Sequence, residues 1–335
     1  MSAGVEAKRQ LYLHALVDAI KEEMRGDERV FVMGEDVESP LFWGPTGTFR
    51  EEFGARRVRN TPMSEAAFVG AGIGAAMTGL RPVVEMTVAS FLYVAFDQVV
   101  SMAAKARFMF GGQASVPLVI RATSMYGRGL AAQHSDRPYP AFMGVPGLKI
   151  VAPTTAADAK GLMKSAIRDD DPVLFFEDVN CHGVRGEVPG GDHLVPIGVA
   201  EVRREGTDVT VVGVSGGMLP ALAAAEELAT EGVSVELVDP RTLAPMDTTV
   251  ILESVAKTGR AVVVDPAHRV CSVASEIAAT IAEEAFDSLR SPVVRVTTPQ
   301  VPIPFSPPLE KPLYPSADRV TAAVRRVLGL QAGTR

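Results

Sequence analysis

Two residues in this 335-residue chain stand in settings where proton chemistry is a natural reading. Glu65 is the single carboxylate in the stretch 61–79, "TPMSEAAFVGAGIGAAMTG". An acid heading a run of small apolar residues either caps a helix or does proton transfer where water is scarce. His134 lies in "GLAAQHSDRPYPAFMGVPG" (129–147), an aperiodic loop, beside Ser135 and Asp136. A loop histidine of this kind is a general acid or base, or it holds the loop together. Neither residue settles its own role alone.

Other patterns narrow the chemistry. None of the five histidines (His14, His134, His182, His193 and His268) forms an HxH or HExxH pair, which argues against a histidine metal site. Ser215 in "GVSGG" lacks the GxSxG spacing of a nucleophile elbow. Gly70, Gly72, Gly74 and Gly79 do not directly follow a strand, as a dinucleotide fingerprint would. They lie within an expected helix, so they read as a packing face, with a subunit interface as one candidate. "GVSGGM" (213–218) does follow a strand and open a helix. Without a Walker lysine or the dinucleotide spacing, it reads as an ordinary turn.

Composition bounds the class. Hydrophobic residues make up 47% and charged residues 22%, the profile of a globular protein of about two domains. A net charge of −7 with no basic block argues against nucleic acid or an anionic membrane as partner. Cys181 and Cys271 lie outside any CxxC spacing, so neither a disulfide framework nor a zinc site is expected. "MSAGVEAKRQ" has no apolar core of a signal peptide, and no apolar run reaches the roughly 18 residues of a membrane span. The expectation is a cytoplasmic protein.

These side chains need a scaffold, and periodicity describes one. Leu13, Leu16, Val17, Ile20 and Met24 share a helix face. Strand-like runs at 29–34, 81–87, 116–122 and 172–178 alternate with helical patterns at 61–78, 92–108 and 155–168. Thr61 and Pro62 suggest an N-cap and first helical position. After a Gly/Pro-rich stretch (182–198), strands at 208–216, 233–239, 260–265 and 292–298 alternate with helices at 218–231, 247–257, 273–285 and 316–328. The pattern predicts two doubly wound α/β domains, 1–182 and 199–335, joined by a linker at 183–198. The proline-rich segment 299–315 is expected to wrap a surface rather than pack as an element.

The chain resembles the β subunit of the thiamine-diphosphate-dependent decarboxylating component of 2-oxo acid dehydrogenase complexes. The resemblance runs over nearly the full length, through "FVMGEDV" (31–37), "TPMSEAAFVGAGIGAAMTGLRPVVE" (61–85), "AFDQVVSMAAKARFMFGG" (95–112), "AAQHS" (131–135), "GEVP" (186–189) and "VDPRTLAPMD" (238–247). "RFMFGGQ", "HRVCSVASEI" and "PIPFSPPLE" are most similar to the acetoin-cleaving branch.

The resemblance implies a transketolase-like fold, with a pyrimidine-binding domain and a transketolase C-terminal domain. It places Glu65 against N1′ of the cofactor's aminopyrimidine, where it promotes the imino form that removes the thiazolium C2 proton. It gives Phe91 the role of the aromatic packed on that ring. His134 becomes the active-site histidine that assists proton transfer or guides the acyl group to lipoamide. Leu118, Ala166, Ile167, Asp169 and Asp171 align with a structural potassium site, with Asp171 where some relatives have Asn. Relatives that hold Mg²⁺ and diphosphate use Gly-Asp-Gly followed by a later Asn. Here Gly26 with Asp27 and Gly191 with Asp192 are the only such pairs, neither is followed by Gly, and the only asparagines are Asn60 and Asn180. The resemblance therefore implies an α subunit that supplies the Mg²⁺–diphosphate half in an α2β2 heterotetramer, and a dihydrolipoamide acyltransferase core. Rival readings are an acyloin-forming or transketolase-like transferase subunit and a non-catalytic assembly subunit. Segments 38–54 and 121–133 depart from the relatives and leave acetoin, pyruvate and branched-chain 2-oxo acids open as substrate.

Overall fold

Short β-branched runs recur along the chain, and most become buried strands in the computed structural model, which describes residues 7–38 and 46–330. Residues 39–45, within the departing segment 38–54, lie outside the described residues. The chain divides into two units, residues 1–125 with 141–197, and residues 126–140 with 198–335.

The first unit contains β1 (Lys8–Leu11), α1 (Tyr12–Gly26), β2 (Val30–Gly34), β3 (Val58–Asn60), α2 (Glu65–Met77), β4 (Arg81–Val88), β5 (Val119–Ser124), β6 (Lys149–Val151), α3 (Ala156–Arg168), β7 (Val173–Asp178) and β8 (Arg185–Val188). Its sheet runs β6-β7-β5-β4-β2-β3, with every neighbouring pair parallel. β1 and β8 pair separately and antiparallel, so the Gly/Pro-rich stretch 182–198 contains a strand. On α1 the buried stripe is Tyr12, Ala15, Leu16, Ala19, Ile20 and Met24. Leu13 and Val17 lie on the half-buried flank of this stripe. It packs on α3, where Lys160 and Lys164 reach Glu22 and Arg168 reaches Glu23.

The second unit contains β9 (Glu201–Arg204), β10 (Val209–Gly213), α4 (Met218–Thr230), β11 (Val235–Asp239), α5 (Thr248–Thr258), β12 (Ala261–His268), α6 (Val273–Glu284), β13 (Val294–Thr298) and α7 (Ala317–Leu328). The strand order is β13-β12-β10-β11-β9, parallel except for β9 against β11. Val211, Leu237 and Val262 from the strands meet Ala221, Leu228 and Val324 from the helices in the core. Side-chain caps from Asp247, Ser272 and Ser316 start α5, α6 and α7, satisfying N–H groups that would otherwise lack partners.

Three expectations change. The helix expected from Thr61 begins at Glu65, because the Thr61 N–H donates to Gly34 O at 2.9 Å and continues the β2–β3 pairing. The helix expected over 92–108 is broken into a 3₁₀ turn (Ala89–Tyr93), a π-helical turn (Gln98–Ala103) and a short α turn (Ala106–Met109). Its middle turn is widened enough for the Ala104 N–H to donate to Val99 O. The proline-rich segment 299–315 packs: it forms a helical turn at Pro307–Glu310 and buries Ile303, Glu310 and Tyr314. Pro307 and Pro308 stand where a helix needs no N–H partner.

The glycines of α2 separate into different roles. A Cβ on Gly72 would lie 2.8 Å from the Val84 side chain, so that glycine lets α2 lie against β4. Gly74 faces open space within this chain.

Candidate active site

In the first unit, the expected site begins where adjacent parallel strands end. Glu65 opens α2 just after β3, Glu35 follows β2, and Phe91 sits in the 3₁₀ turn after β4. Carboxyl ends of neighbouring parallel strands are where open α/β sheets bind ligands. Glu65 and Phe91 are both half-buried, so the apolar setting expected around Glu65 is half open in the chain by itself. The reason is local: the strand continues through Thr61, and the helix begins only at the glutamate.

Glu35 was not singled out by sequence, although "FVMGEDV" contains it. It is 8% exposed, and its Oε1 is buried without a hydrogen-bond partner. Burial, then the negative charges of Glu65 and Asp36, raise its pKa above the usual carboxylate value. A buried carboxyl with a raised pKa, coupled by charge to a second carboxyl near the end of a sheet, forms a pair suited to acid–base work. The sequence signal available was a strand ending in Gly-Glu-Asp. Its importance depends on Glu65, which follows the neighbouring strand.

The strand ends here are shaped by unusual backbone. Gly34 has φ +143°, and a Cβ there would lie 2.2 Å from Glu85 O, so only glycine lets β2 approach β4 this closely. Thr87 has φ +57° at a register irregularity in β4, and its N–H donates to Glu85 Oε1 at 3.0 Å. Beneath, Arg121 bridges Glu85 and Glu177, with Arg121 Nη2 to Glu177 Oε2 at 2.9 Å. His182 Nε2 lies 3.0 Å from Glu177 Oε2. Burial works against the Glu177 anion, but Arg121 and His182 lower its pKa to about 2. Glu85, with fewer contacts to Arg121, stays raised by burial.

Replacing Glu35 with Gln tests the electrostatic account. A folded-state pKa above the unfolded value means that stability is lost as pH rises through it. Glu35→Gln should therefore raise stability near pH 8 by about 1 kcal/mol, the scale of an uncompensated buried polar atom. The advantage should vanish below about pH 4, where the wild-type carboxyl is also neutral. Denaturant melts at the two pH values check this; an advantage that persists in acid would contradict it.

His134 belongs to the second unit, at the end of the helical turn Ala131–His134, and is half-buried. Nearby, burial raises the Asp136 carboxyl, while burial and the Arg137 charge lower His268.

The five potassium positions cluster at the end of α3 and the approach to β5. Their described oxygens already have partners. Leu118 O accepts from Val173 N, Ala166 O from Asp169 N, and both Ile167 O and Asp169 O from the Arg81 guanidinium at 3.0 and 2.9 Å. Lys149 Nζ lies 2.7 Å from both carboxylate oxygens of Asp169, and Arg107 pairs with Asp171. A potassium ion would share the Ile167, Asp169 and Asp171 oxygens with three cationic side chains, so this donor set fits a monovalent cation poorly. Among the described residues there is no cluster of three or more His, Cys, Asp or Glu able to hold a metal.

Comparison with known proteins agrees with this architecture. Residues 10–180 match the transketolase pyrimidine-binding domain and 198–320 the transketolase C-terminal domain. A split-gene transketolase, described as an inactive beta4 tetramer, superposes with a TM-score of 0.77 at 24% identity, covering 98% of this chain and 100% of that one, and supports the fold alone. The acetoin:2,6-dichlorophenolindophenol oxidoreductase subunit beta of Bacillus subtilis (strain 168) is 43% identical, over 94% of this chain and 96% of its own length. The 2-oxoisovalerate dehydrogenase subunit beta of the same organism is 44% identical over 94% and 98%. The pyruvate dehydrogenase E1 component subunit beta of Rhizobium meliloti (strain 1021) is 45% identical over 97% and 71%. The fold is thus of the transketolase class, and the chain belongs to the family of 2-oxo acid and acetoin dehydrogenase β subunits.

Proposed function

We propose that this chain is the β subunit of a thiamine-diphosphate-dependent 2-oxo acid or acetoin dehydrogenase, active only with an α subunit. The observation that carries the proposal is Glu65 at the head of α2, electrostatically coupled to the buried Glu35 carboxyl near the ends of parallel strands. These residues fit the pyrimidine half of the cofactor. Glu35 offers a buried, unpartnered oxygen, Glu65 a half-exposed carboxylate, and Phe91 an aromatic face on the neighbouring strand end.

Bound thiamine diphosphate supplies the carbon nucleophile and electron sink for cleaving a C–C bond next to a carbonyl. Glu65 holds a proton at the pyrimidine nitrogen, and Glu35 raises the negative potential there, which favours the proton's retention. Phe91 packs on the pyrimidine ring and excludes water. His134 acts at the substrate end as acid or base, or guides the acyl group toward lipoamide.

An α subunit completes the site with Mg²⁺ and the diphosphate-binding residues, in an α2β2 heterotetramer. The missing Gly-Asp-Gly…Asn pattern supports that division. A dihydrolipoamide acyltransferase core then receives the acyl group. The potassium assignment at Leu118, Ala166, Ile167, Asp169 and Asp171 rests on resemblance alone, since Arg81, Lys149 and Arg107 already engage oxygens of Ile167, Asp169 and Asp171. The protein is proposed to work in the cytoplasm; no described helix is long and apolar enough to cross a membrane.

The test is reconstitution with the α partner, thiamine diphosphate and Mg²⁺, followed by dye reduction with acetoin, pyruvate and branched-chain 2-oxo acids. The proposal expects turnover of at least one of them by the mixture and none by either chain alone. Turnover by the β chain alone, or none from a well-formed mixture, would contradict it.

A further inference from the structure

Residues 126–140 lie between two first-unit elements in the chain, yet they group with the second unit. Glu310, 1% exposed, explains the start of this attachment. Its Oε1 accepts from the Gly127 N–H at 2.8 Å, and its Oε2 from the Gly129 N–H at 2.9 Å. The Tyr314 hydroxyl also donates to Oε1 at 2.8 Å. A buried carboxylate needs such donors, and one that bridges two backbone amides fixes the orientation of both peptides. Gly127 and Gly129 have φ +77° and +68°. A Cβ on either would find ordinary contacts, so glycine serves the backbone conformation rather than space.

The far end of the loop is held as firmly. Arg137 is buried, donates from Nε to Pro266 O at 2.9 Å, and lies over the rings of Tyr126 and Tyr314 at 5.0 and 5.4 Å. Tyr139 donates to Asp265 Oδ1 at 2.6 Å. Tyr314 joins the two fastenings, with its hydroxyl on Glu310 and its ring under Arg137. In chain order, His134 falls between Gly129 and Arg137.

We propose that Glu310 is a positioning residue for His134: its carboxylate holds the peptides of Gly127 and Gly129 and thereby sets where the imidazole stands. The proposal rests on the reading of His134 as the active-site histidine. Glu310 touches no substrate in this account and acts only through the loop.

The experiment uses the full chain assembled with its α partner. Hydrogen exchange of 126–134 and steady-state kinetics are measured for wild type, Glu310→Ala, Glu310→Gln, His134→Ala and the Glu310→Ala/His134→Ala double variant. Losing hydrogen bonds to a charged group should speed exchange in 126–134 by about 10-fold or more, and lower kcat by about 10- to 100-fold with KM little changed. Exchange in β10 and β12 should stay as in wild type. The double variant should be no slower than His134→Ala, because both changes act on one group. Unchanged exchange in 126–134, or losses that multiply in the double variant, would overturn the proposal. If His134→Ala alone keeps full kcat, the reading of His134 falls, while the exchange data still decide whether Glu310 holds the loop. Should Glu310→Ala not fold, Glu310→Gln decides in its place, since Gln offers one acceptor where two amides need two. Tyr314→Phe keeps the carboxylate and should leave exchange near wild type.

Discussion

Glu65→Gln should lower turnover of the reconstituted enzyme by about 10²- to 10⁴-fold, the range of a lost general acid–base group. The fold should survive the change. Glu65 is half-buried and stands in the first turn of α2, after the N-cap Ser64, so Gln removes its favourable interaction with the helix N-terminus, about 0.3–1 kcal/mol. The two readings of this residue thus separate cleanly. A helix-capping glutamate predicts that small stability loss with activity intact. A proton-holding glutamate predicts the same small stability loss with activity lost, because Gln at the pyrimidine nitrogen cannot supply or take a proton. Glu65→Ala should behave like Gln in turnover. Retained activity in either variant would remove Glu65 from the mechanism.

The largest expected effect on stability is at Arg121→Met. Arg121 is 1% exposed and bridges two buried carboxylates, Glu85 and Glu177. Removing it strands both in a medium that does not solvate them, at a cost of about 3–5 kcal/mol. Domains have about 5–15 kcal/mol in total, so the variant should melt far below wild type or fail to accumulate. The pH dependence has a definite sign. Glu177 has its pKa lowered to about 2 in the folded chain, so its stabilising contribution is full above the ordinary carboxylate range. It is lost as pH falls through the folded value. In Arg121→Met that contribution is already absent, so the gap between the two proteins should narrow as pH drops below about 4. A gap that stays constant with pH would mean that packing, rather than charge, dominates at this position.

The architecture was legible because it is written locally. β-branched runs of strand length alternate with helical patterns, and α3, α5, α6 and α7 start at cap residues, Thr155, Asp247, Ser272 and Ser316, that the chain displays in plain order. Glu65 was visible for the same reason: one acid in an apolar run is a local anomaly.

What escaped depends on partners distant in sequence. Glu35 looks like a polar strand exit until Glu65, thirty positions later, is brought beside it. α2 starts later than its Thr-Pro signal because a hydrogen bond from Thr61 to Gly34 outcompetes that signal. Glu310 sits in a segment that proline content alone describes as wrapping. Its burial comes from amides of a loop more than 180 positions earlier. The broken helix at 89–109 is of the same kind, since no local residue announces the widened turn.

The most direct test of the account is a calorimetric titration of thiamine diphosphate with Mg²⁺ into this chain alone, and into its mixture with the α partner. The account predicts saturable binding in the mixture and no measurable binding to the chain alone, with Glu65→Gln weakening what the mixture shows. Tight binding to the chain alone would place the diphosphate half of the site here and contradict the divided active site.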